Sequence, residues 1–503
     1  MVTKVKIDPI TRIEGHMAIE AVIDDGVVKE AKSAGTLFRG FEIILQGRDP
    51  RDANRLTQRI CGVCPTAHAT ASALCLDNAF GLTDKIPDNG KLIRCLILGS
   101  NFLQSHILHF YHLAALDYVD AVSAVGDLAP FVPRYEGDYR VSGEANAELA
   151  NHYLKALDIR RKCQEMLAIF GGKMPHNVGI VPGGVTEKPT EDRITNFLWR
   201  LNEIRDFVDN TYIPDIIAVA KAYSDYFEIG KGCRRVLAYG GFDLPPRLLG
   251  EDKSGGKLFK AGVVSRDLQP EPFAKENITE DVKHSWYADS ASGKNPAQGQ
   301  TKPDLKKKEA YSFIKSPRYK GNVCELGPLA RMISNYVQGD EKVKELVDSL
   351  LDQVDADVNA LFSVLGRHAA RALEAKFVAD AMVEWLTDLK PDEPTIVESE
   401  IPDNGEGAGL TEAPRGAVGH WMSIKDKEIE RYQVITPTAW NASPKDDKNQ
   451  PGAVEQAIIG NKVKDKDNPF ELVRIVRAFD PCLACSVHLL DAKGSELGVF
   501  RVV

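Results

Sequence analysis

No segment of this 503-residue chain is apolar over the roughly 20 residues that a bilayer demands. Stretches such as 92–98 and 360–365 fall far short, so any membrane attachment is expected to come through a partner. The amino terminus, MVTKVKIDPITRIEGH, has neither the apolar stretch of a secretory signal nor an Ala-x-Ala-like cleavage site. Export by its own leader is not expected. A basic excess is missing too: 63 Lys+Arg stand against 72 Asp+Glu, a formal charge of −9. With no Lys/Arg cluster interleaved with aromatics, nucleic acid is not expected as a partner. There is no fixed-period repeat and no low-complexity tract. Beyond two Cys-x-x-Cys pairs, no cysteine spacing suits an iron–sulfur cluster in this chain. Five of the nine cysteines (Cys75, Cys95, Cys163, Cys233, Cys324) stand alone in ordinary sequence and read as buried reduced thiols.

The two pairs are the strongest feature present. Cys61 and Cys64 lie in RICGVCPTAH, and Cys482 and Cys485 in DPCLACSVH. A Cys-x-x-Cys turn brings two soft sulfur ligands to one side of the backbone, and two such turns can surround a thiophilic ion. Zinc ribbons usually hold their pairs roughly 15–20 residues apart. Here Cys61 and Cys482 are 421 residues apart, so the fold must bring its two ends together around a buried site.

Residues 4–33 alternate apolar and polar side chains around Asp24-Asp25-Gly26, the pattern of a hairpin or small sheet. Residues 38–47 read as helical, and Pro65 suits the first turn of a helix running to about Phe80. That places the first pair at a helix start, where backbone N–H groups favour thiolate. Helical periodicity covers about 90–123, 143–171, 191–229 and 327–388. Between 245 and 322 the Gly-, Lys-, Asp- and Pro-rich composition implies peripheral strands and loops. Residues 391–409 read as irregular, and short strands are expected at 415–437 and 472–478. The expected fold is α+β and mainly α: a long-helix bundle with small peripheral sheets, its terminal segments converging on the metal site. One unit spans 1–488, with a β and metal-loop part at 1–80, bundle at 90–230 and 327–388, an insertion at 245–322 and a second metal-loop part at 405–488.

On the residues alone, three readings compete: a closed Cys₄ zinc site, a pair of redox dithiols, or a redox-active metal centre. The neighbours favour the third. Arg59, His68, Asp480 and His488 flank the pairs with groups that a structural zinc site does not need but that orient thiolates and tune a metal.

The RICGVCP and DPCLACSVH segments, with RIEGH at 12–16 and EAPRGAVGH at 412–420, resemble the large, catalytic subunit of nickel–iron hydrogenases, and the motifs look most like the respiratory uptake branch. The resemblance runs from Lys4 to the end. It implies that Cys61, Cys64, Cys482 and Cys485 hold nickel, with Cys64 and Cys485 bridging to an iron that carries cyanide and carbonyl ligands. Cys482 would accept the proton of split H₂, and Glu14 would relay it, since a partly buried carboxyl with a raised pKa can accept and release a proton near neutrality. Arg415, preceded by Pro414, would sit over the open metal position, and Asp480 and His68 would line the cofactor. Glu42 in FRGFE, the backbone carbonyl near Val434 and His488 match a magnesium-type site, alternatively holding Fe²⁺.

One departure is plain: where the family often has His-Asp-His, this chain reads Gln104-Ser105-His106, so the aspartate that usually accompanies Arg415 is missing. Residues 489–503 resemble the extension that maturation proteins and a dedicated endopeptidase remove after nickel insertion. The resemblance further implies a small subunit carrying iron–sulfur clusters, a membrane acceptor such as a cytochrome b, and a place on the periplasmic side of the cytoplasmic membrane, reached with the small subunit; the alternative is cytoplasmic. An H₂-sensing regulatory subunit and a metal-free structural descendant are the competing functions, and the four cysteines argue against the second.

Overall fold

A computed structural model describes residues 2–128, 131–132, 136–249 and 256–486, with the backbone alone at 485 and 486. The chain opens with an antiparallel sheet of β1 (Thr3–Ile7), β2 (Met17–Asp24) and β3 (Val27–Gly35). Asp24 pairs with Val27, leaving Asp25 and Gly26, both at positive φ, as the two-residue turn. That backbone matches the twist of the strands it joins, and the expected hairpin is present. The helix expected at 38–47 shrinks to one turn at Phe41–Ile44.

Helix α1 (Pro65–Ala79) begins at the first cysteine pair, with Cys64 as N-cap and Pro65 in the first turn. Proline is at ease there because that N–H has no partner within the helix. Helix α2 (Asp88–Leu108) runs on into a π-helical turn, His109–Ala114. Helices α3 (Gly143–Gly171), α4 (Glu191–Phe207), α5 (Ile213–Ala222), α6 (Pro328–Val337) and α7 (Val364–Thr387) follow. Helix α2 packs on α3 and α7, α3 on α4, and α7 on α4 and α6, which gives the helical centre that the periodicity implied. Short strands and 3₁₀ turns fill 236–319, as the composition there indicated. Among the described residues, no helix is long and apolar enough to cross a membrane.

Two sequence expectations fail in the carboxy-terminal third. The Gly-rich run near 405–409, read as irregular, belongs to β4 (Asn404–Ala413), which pairs with β5 (Gly416–Lys425) and through it with β6 (Glu428–Ile435). Its glycines let the strand lie on the backbone of α1: a Cβ on Gly409 would stand 2.0 Å from Ala71 O and 2.4 Å from the Cys75 amide nitrogen. Residues 472–478, expected as a strand, lie in helix α8 (Phe470–Ala478). Apolar Leu472, Ile475 and Val476 recur at three- and four-residue steps, and the intervening Arg474 and Arg477 are buried in ion pairs and hydrogen bonds rather than alternating out to water. The last described element is the turn α9 (Leu483–Ser486).

One continuous set of buried side chains runs from Ile10 to Leu483 and takes in Cys61, Cys64 and Cys482. The two ends of the chain meet there. Glu14 bridges to Cys482 in parallel fashion: the Glu14 amide donates to Pro481 O at 3.3 Å, and the Leu483 amide to Glu14 O at 2.8 Å.

Candidate metal centre

The first cysteine loop is held from three directions. The amides of Val63 and Cys64 donate to Cys61 Sγ at 3.2 and 3.4 Å, a pattern that favours thiolate. From α2, Asn101 and Gln104 donate to Val63 O at 3.0 and 2.8 Å. Arg39 then ties this loop to the second one: its Nη2 bonds to Ile60 O and, at 2.7 Å, to Ala484 O, and its Nη1 donates to Arg59 O at 3.2 Å. The second loop is fixed by Thr438 Oγ1, which accepts from the Cys482 amide at 3.0 Å.

Of the four candidate ligand cysteines, the three whose side chains are described, Cys61, Cys64 and Cys482, are buried with their sulfurs within 4.8 Å of one another. Cys61 Sγ and Cys482 Sγ stand 3.3 Å apart, too far for a disulfide, whose bond is about 2.05 Å. It is a spacing two ligands of one ion can share, since thiolate–metal bonds are about 2.3 Å. Three buried soft donors converging on one point fit nickel and suit no hard cation. The side chain of Cys485 and all of His488 lie outside the described residues, as does the segment 489–503.

Glu14 stands beside the cluster. Its Oε2 accepts from Cys482 Sγ at 3.1 Å and from the Ala484 amide at 2.9 Å. Burial, then the negative charge of Cys61, raises its pKa, while the bonds from Cys482 and Ala484 and the charge of Arg415 pull the other way. Gly15 makes this approach possible: its φ is +82°, and a Cβ there would meet the Ala484 nitrogen and Leu483 Cβ at 2.8 Å.

Arg415 caps the cluster from the two-residue turn Pro414–Arg415 between β4 and β5, where Ala413 pairs with Gly416. Its Nε donates to Asp480 O at 3.0 Å, and Nη2 lies 2.9 Å from Asp480 Oδ1 as an ion pair outside hydrogen-bond alignment. Its Nη1 reaches Ser105 Oγ only at 3.4 Å, so serine does stand where the sequence departs from the family pattern. Although burial opposes charge, Asp480 and then the cysteine sulfurs raise the Arg415 pKa, so it stays cationic.

His68 lies one turn after Cys64 on α1, held neutral by burial with its pKa pushed down to about 4. Its Nδ1 shares a 3.1 Å bond with His420 Nε2, and His420 Nδ1 a 2.8 Å bond with Tyr432 Oη. Of the flanking groups, Arg59 does not join the site: its side chain is exposed. Glu42 is buried away from the cysteines, its Oε1 accepting from the Val434 amide at 2.9 Å and its Oε2 from Thr301. Glu42 and Val434 are thus neighbours.

Sequence reasoning missed Arg39, His420 and Thr438. The first two sit inside the motifs FRGFE and EAPRGAVGH, where a role could have been sought; Thr438 carries no signal, because a helix-start threonine usually serves only its own helix.

A sequence model of the nickel-dependent hydrogenases matches residues 39–126 and 123–488, and a HoxL-like model matches residues 4–34. The chain belongs to the nickel-dependent hydrogenase large subunits. This large subunit is 46% identical to the periplasmic [NiFeSe] hydrogenase large subunit of Desulfomicrobium baculatum, over 99% of this chain and 97% of that one. It is 36% identical to the uptake hydrogenase large subunit of Bradyrhizobium diazoefficiens over the same shares. Its fold matches the [NiFeSe] hydrogenase of Desulfovibrio vulgaris Hildenborough in the reduced state with a TM-score of 0.90 at 45% identity, covering 97% of this chain and 100% of that one. The mainly helical architecture with small antiparallel sheets is that of the family. The large subunit is an oxidoreductase, and its relatives' names imply a small-subunit partner. Where those relatives are named for selenium, this sequence has cysteine at all four candidate ligand positions.

Proposed function

We propose that this large subunit catalyses H₂ = 2 H⁺ + 2 e⁻, working in the direction of H₂ uptake and passing electrons to an iron–sulfur small subunit. The observation that carries the reading is the buried convergence of Cys61, Cys64 and Cys482 beside Glu14. With Cys485 these residues would hold nickel, and Cys64 and Cys485 would bridge to iron. Bound there, a nickel–iron pair with cyanide and carbonyl on iron supplies the redox and Lewis-acid capacity that cleavage of H₂ demands.

The chain's own residues handle the proton. Cys482 Sγ takes it and hands it to Glu14 Oε2, 3.1 Å away, a distance at which transfer needs no intervening water. Burial raises the Glu14 pKa above the ordinary carboxylate value, which favours a proton arriving on the carboxylate. Arg415 keeps a fixed cation at the open face, braced by Asp480 and set by Pro414. His68 positions the first loop through its bond to His420. Glu42 and the Val434 carbonyl, with His488, would hold Mg²⁺ or Fe²⁺ under the second loop. We further propose that residues 489–503 are cleaved by the maturation endopeptidase after metal loading. The processed subunit then works on the periplasmic side of the membrane, feeding an acceptor such as a cytochrome b; the periplasmic relative supports that place.

Metal analysis with infrared spectroscopy on the purified, processed heterodimer tests this. About one nickel per large subunit with cyanide and carbonyl stretching bands is expected; zinc with no such bands would leave a structural Cys₄ protein.

A further inference from the structure

We propose that Arg331 is the positioning residue for Arg415: its guanidinium clamps the carbonyls of the two residues before Arg415 to the helical core and thereby aims the Arg415 side chain. The proposal rests on the reading of Arg415 as the cation at the open face. Arg415 has few side-chain partners of its own, Asp480 on one side and a 3.4 Å contact to Ser105 on the other. Asp480 braces one side of the guanidinium, but on the Ser105 side no charge directs it, so there its aim depends on the turn that carries it.

That turn is fixed from below by Arg331 on α6, fully buried. Nη1 donates to Ala413 O at 2.9 Å and to Glu412 Oε2 at 2.6 Å; Nη2 donates to Pro414 O at 2.9 Å and to Glu374 Oε2 at 2.8 Å; Nε bonds to Glu374 Oε1. All five N–H groups of the fork are engaged. Phe102 and Phe259 face the guanidinium with ring centroids at 5.1 and 5.8 Å, which holds its plane. The turn has no slack either, since a Cβ on Gly416 would stand 2.7 Å from the Gly327 nitrogen at the start of α6. Glu374 comes from α7 and Glu412 from β4, so one cation locks three elements to the main chain of the turn. Stabilisation alone could come from apolar packing of similar volume, but an apolar group could not hold the two carbonyls in place.

The test uses the purified heterodimeric holoenzyme as parent, Arg331→Lys, Arg415→Lys and the double variant, each normalised to bound nickel. Lysine keeps the charge of Arg331 but loses the fork. Arg331→Lys is expected to lower kcat on the order of tenfold with KM little changed, and to shift the carbonyl infrared band; in the Arg415→Lys background it should cost less than about twofold, because the group it aims is gone. An equal factor in both backgrounds, or an unmoved band and kcat at full nickel, overturns the proposal. If Arg415→Lys alone leaves kcat and band unmoved, the reading of Arg415 falls, and the proposal with it. Should Arg331→Lys fail to load nickel, Glu374→Gln, which sets an amide against an Arg331 donor at constant volume, is held to the same two-background criterion.

Discussion

Replacing Glu14 by Gln separates proton transfer from every other duty of that side chain. A glutamine whose amide oxygen takes the place of Glu14 Oε2 still accepts from both the Ala484 amide and the Cys482 thiol, now at 2.9 and 3.1 Å, so the loop geometry survives. What disappears is a group that can take a proton and give it up. Positioned acid–base groups contribute roughly 10²–10⁴-fold, equivalent to about 3–5 kcal/mol of barrier. H₂ oxidation with an artificial electron acceptor, per nickel bound, should therefore fall by at least about a hundredfold, with nickel content and infrared bands intact. Glu14→Asp keeps the chemistry but withdraws the carboxylate by one methylene, beyond direct contact with Sγ, and should retain a rate between the two. The pH profile gives the sign. Burial raises the Glu14 pKa, so the acidic limb of kcat should lie above the ordinary carboxylate range in the parent and be absent in Glu14→Gln. If Glu14→Gln keeps more than about a third of the parent rate at full nickel, the proton leaves Cys482 by another route and the relay assignment is wrong.

Gly15→Ala should be more damaging than its size suggests: the left-handed φ costs about 1–2 kcal/mol and the clash with Leu483 and Ala484 about 1–3 more, and the purified subunit should hold less nickel at an unchanged helical content. Arg39→Met removes donors to Ile60, Arg59 and Ala484; charge-assisted bonds of about 1.5–3 kcal/mol each, some of them at the surface, imply a loss of about 3 kcal/mol, read as a lower urea midpoint and faster nickel release to a chelator. His68 and His112 are both held neutral by burial, down to about 4, so between pH 6.5 and 4 the unfolded chain binds protons that the folded one does not. Stability is then full above 6.5 and falls with pH through that window, by about 3 kcal/mol per histidine at most; urea titrations of His112→Gln should show a flatter dependence, and an unchanged slope would remove His112 from the account.

The helical centre was legible because α3 and α7 carry an unbroken apolar period, and the meeting of the chain ends because soft ligands 421 residues apart have little other reason to come in pairs. The strand at 404–413 was not legible. Gly405, Gly407 and Gly409 read as a breaker when seen alone, and only the backbone of α1 lying against them explains why a side chain is forbidden at Gly407 and Gly409 and crowded at Gly405. Helix α8 was misread for the opposite reason: in a short run rich in Val and Ile, Arg474 and Arg477 look like charges turned to solvent, yet both are buried, Arg474 on Tyr226 and Asp117 O, Arg477 on Asp117 and Thr11. A buried cation is invisible to a hydropathy pattern, because its counter-ion comes from elsewhere in the chain. The same blindness hid Arg331 and Glu374, single charges on otherwise ordinary helices. Ligands announce themselves through local spacing, since two sulfurs must face one ion from one turn. The groups that hold the ligand loops still act across 20 to 445 residues, from Arg39 on Arg59 at a separation of 20 to the same side chain on Ala484 at 445, and at that range the pattern is written in the fold and not in the local sequence.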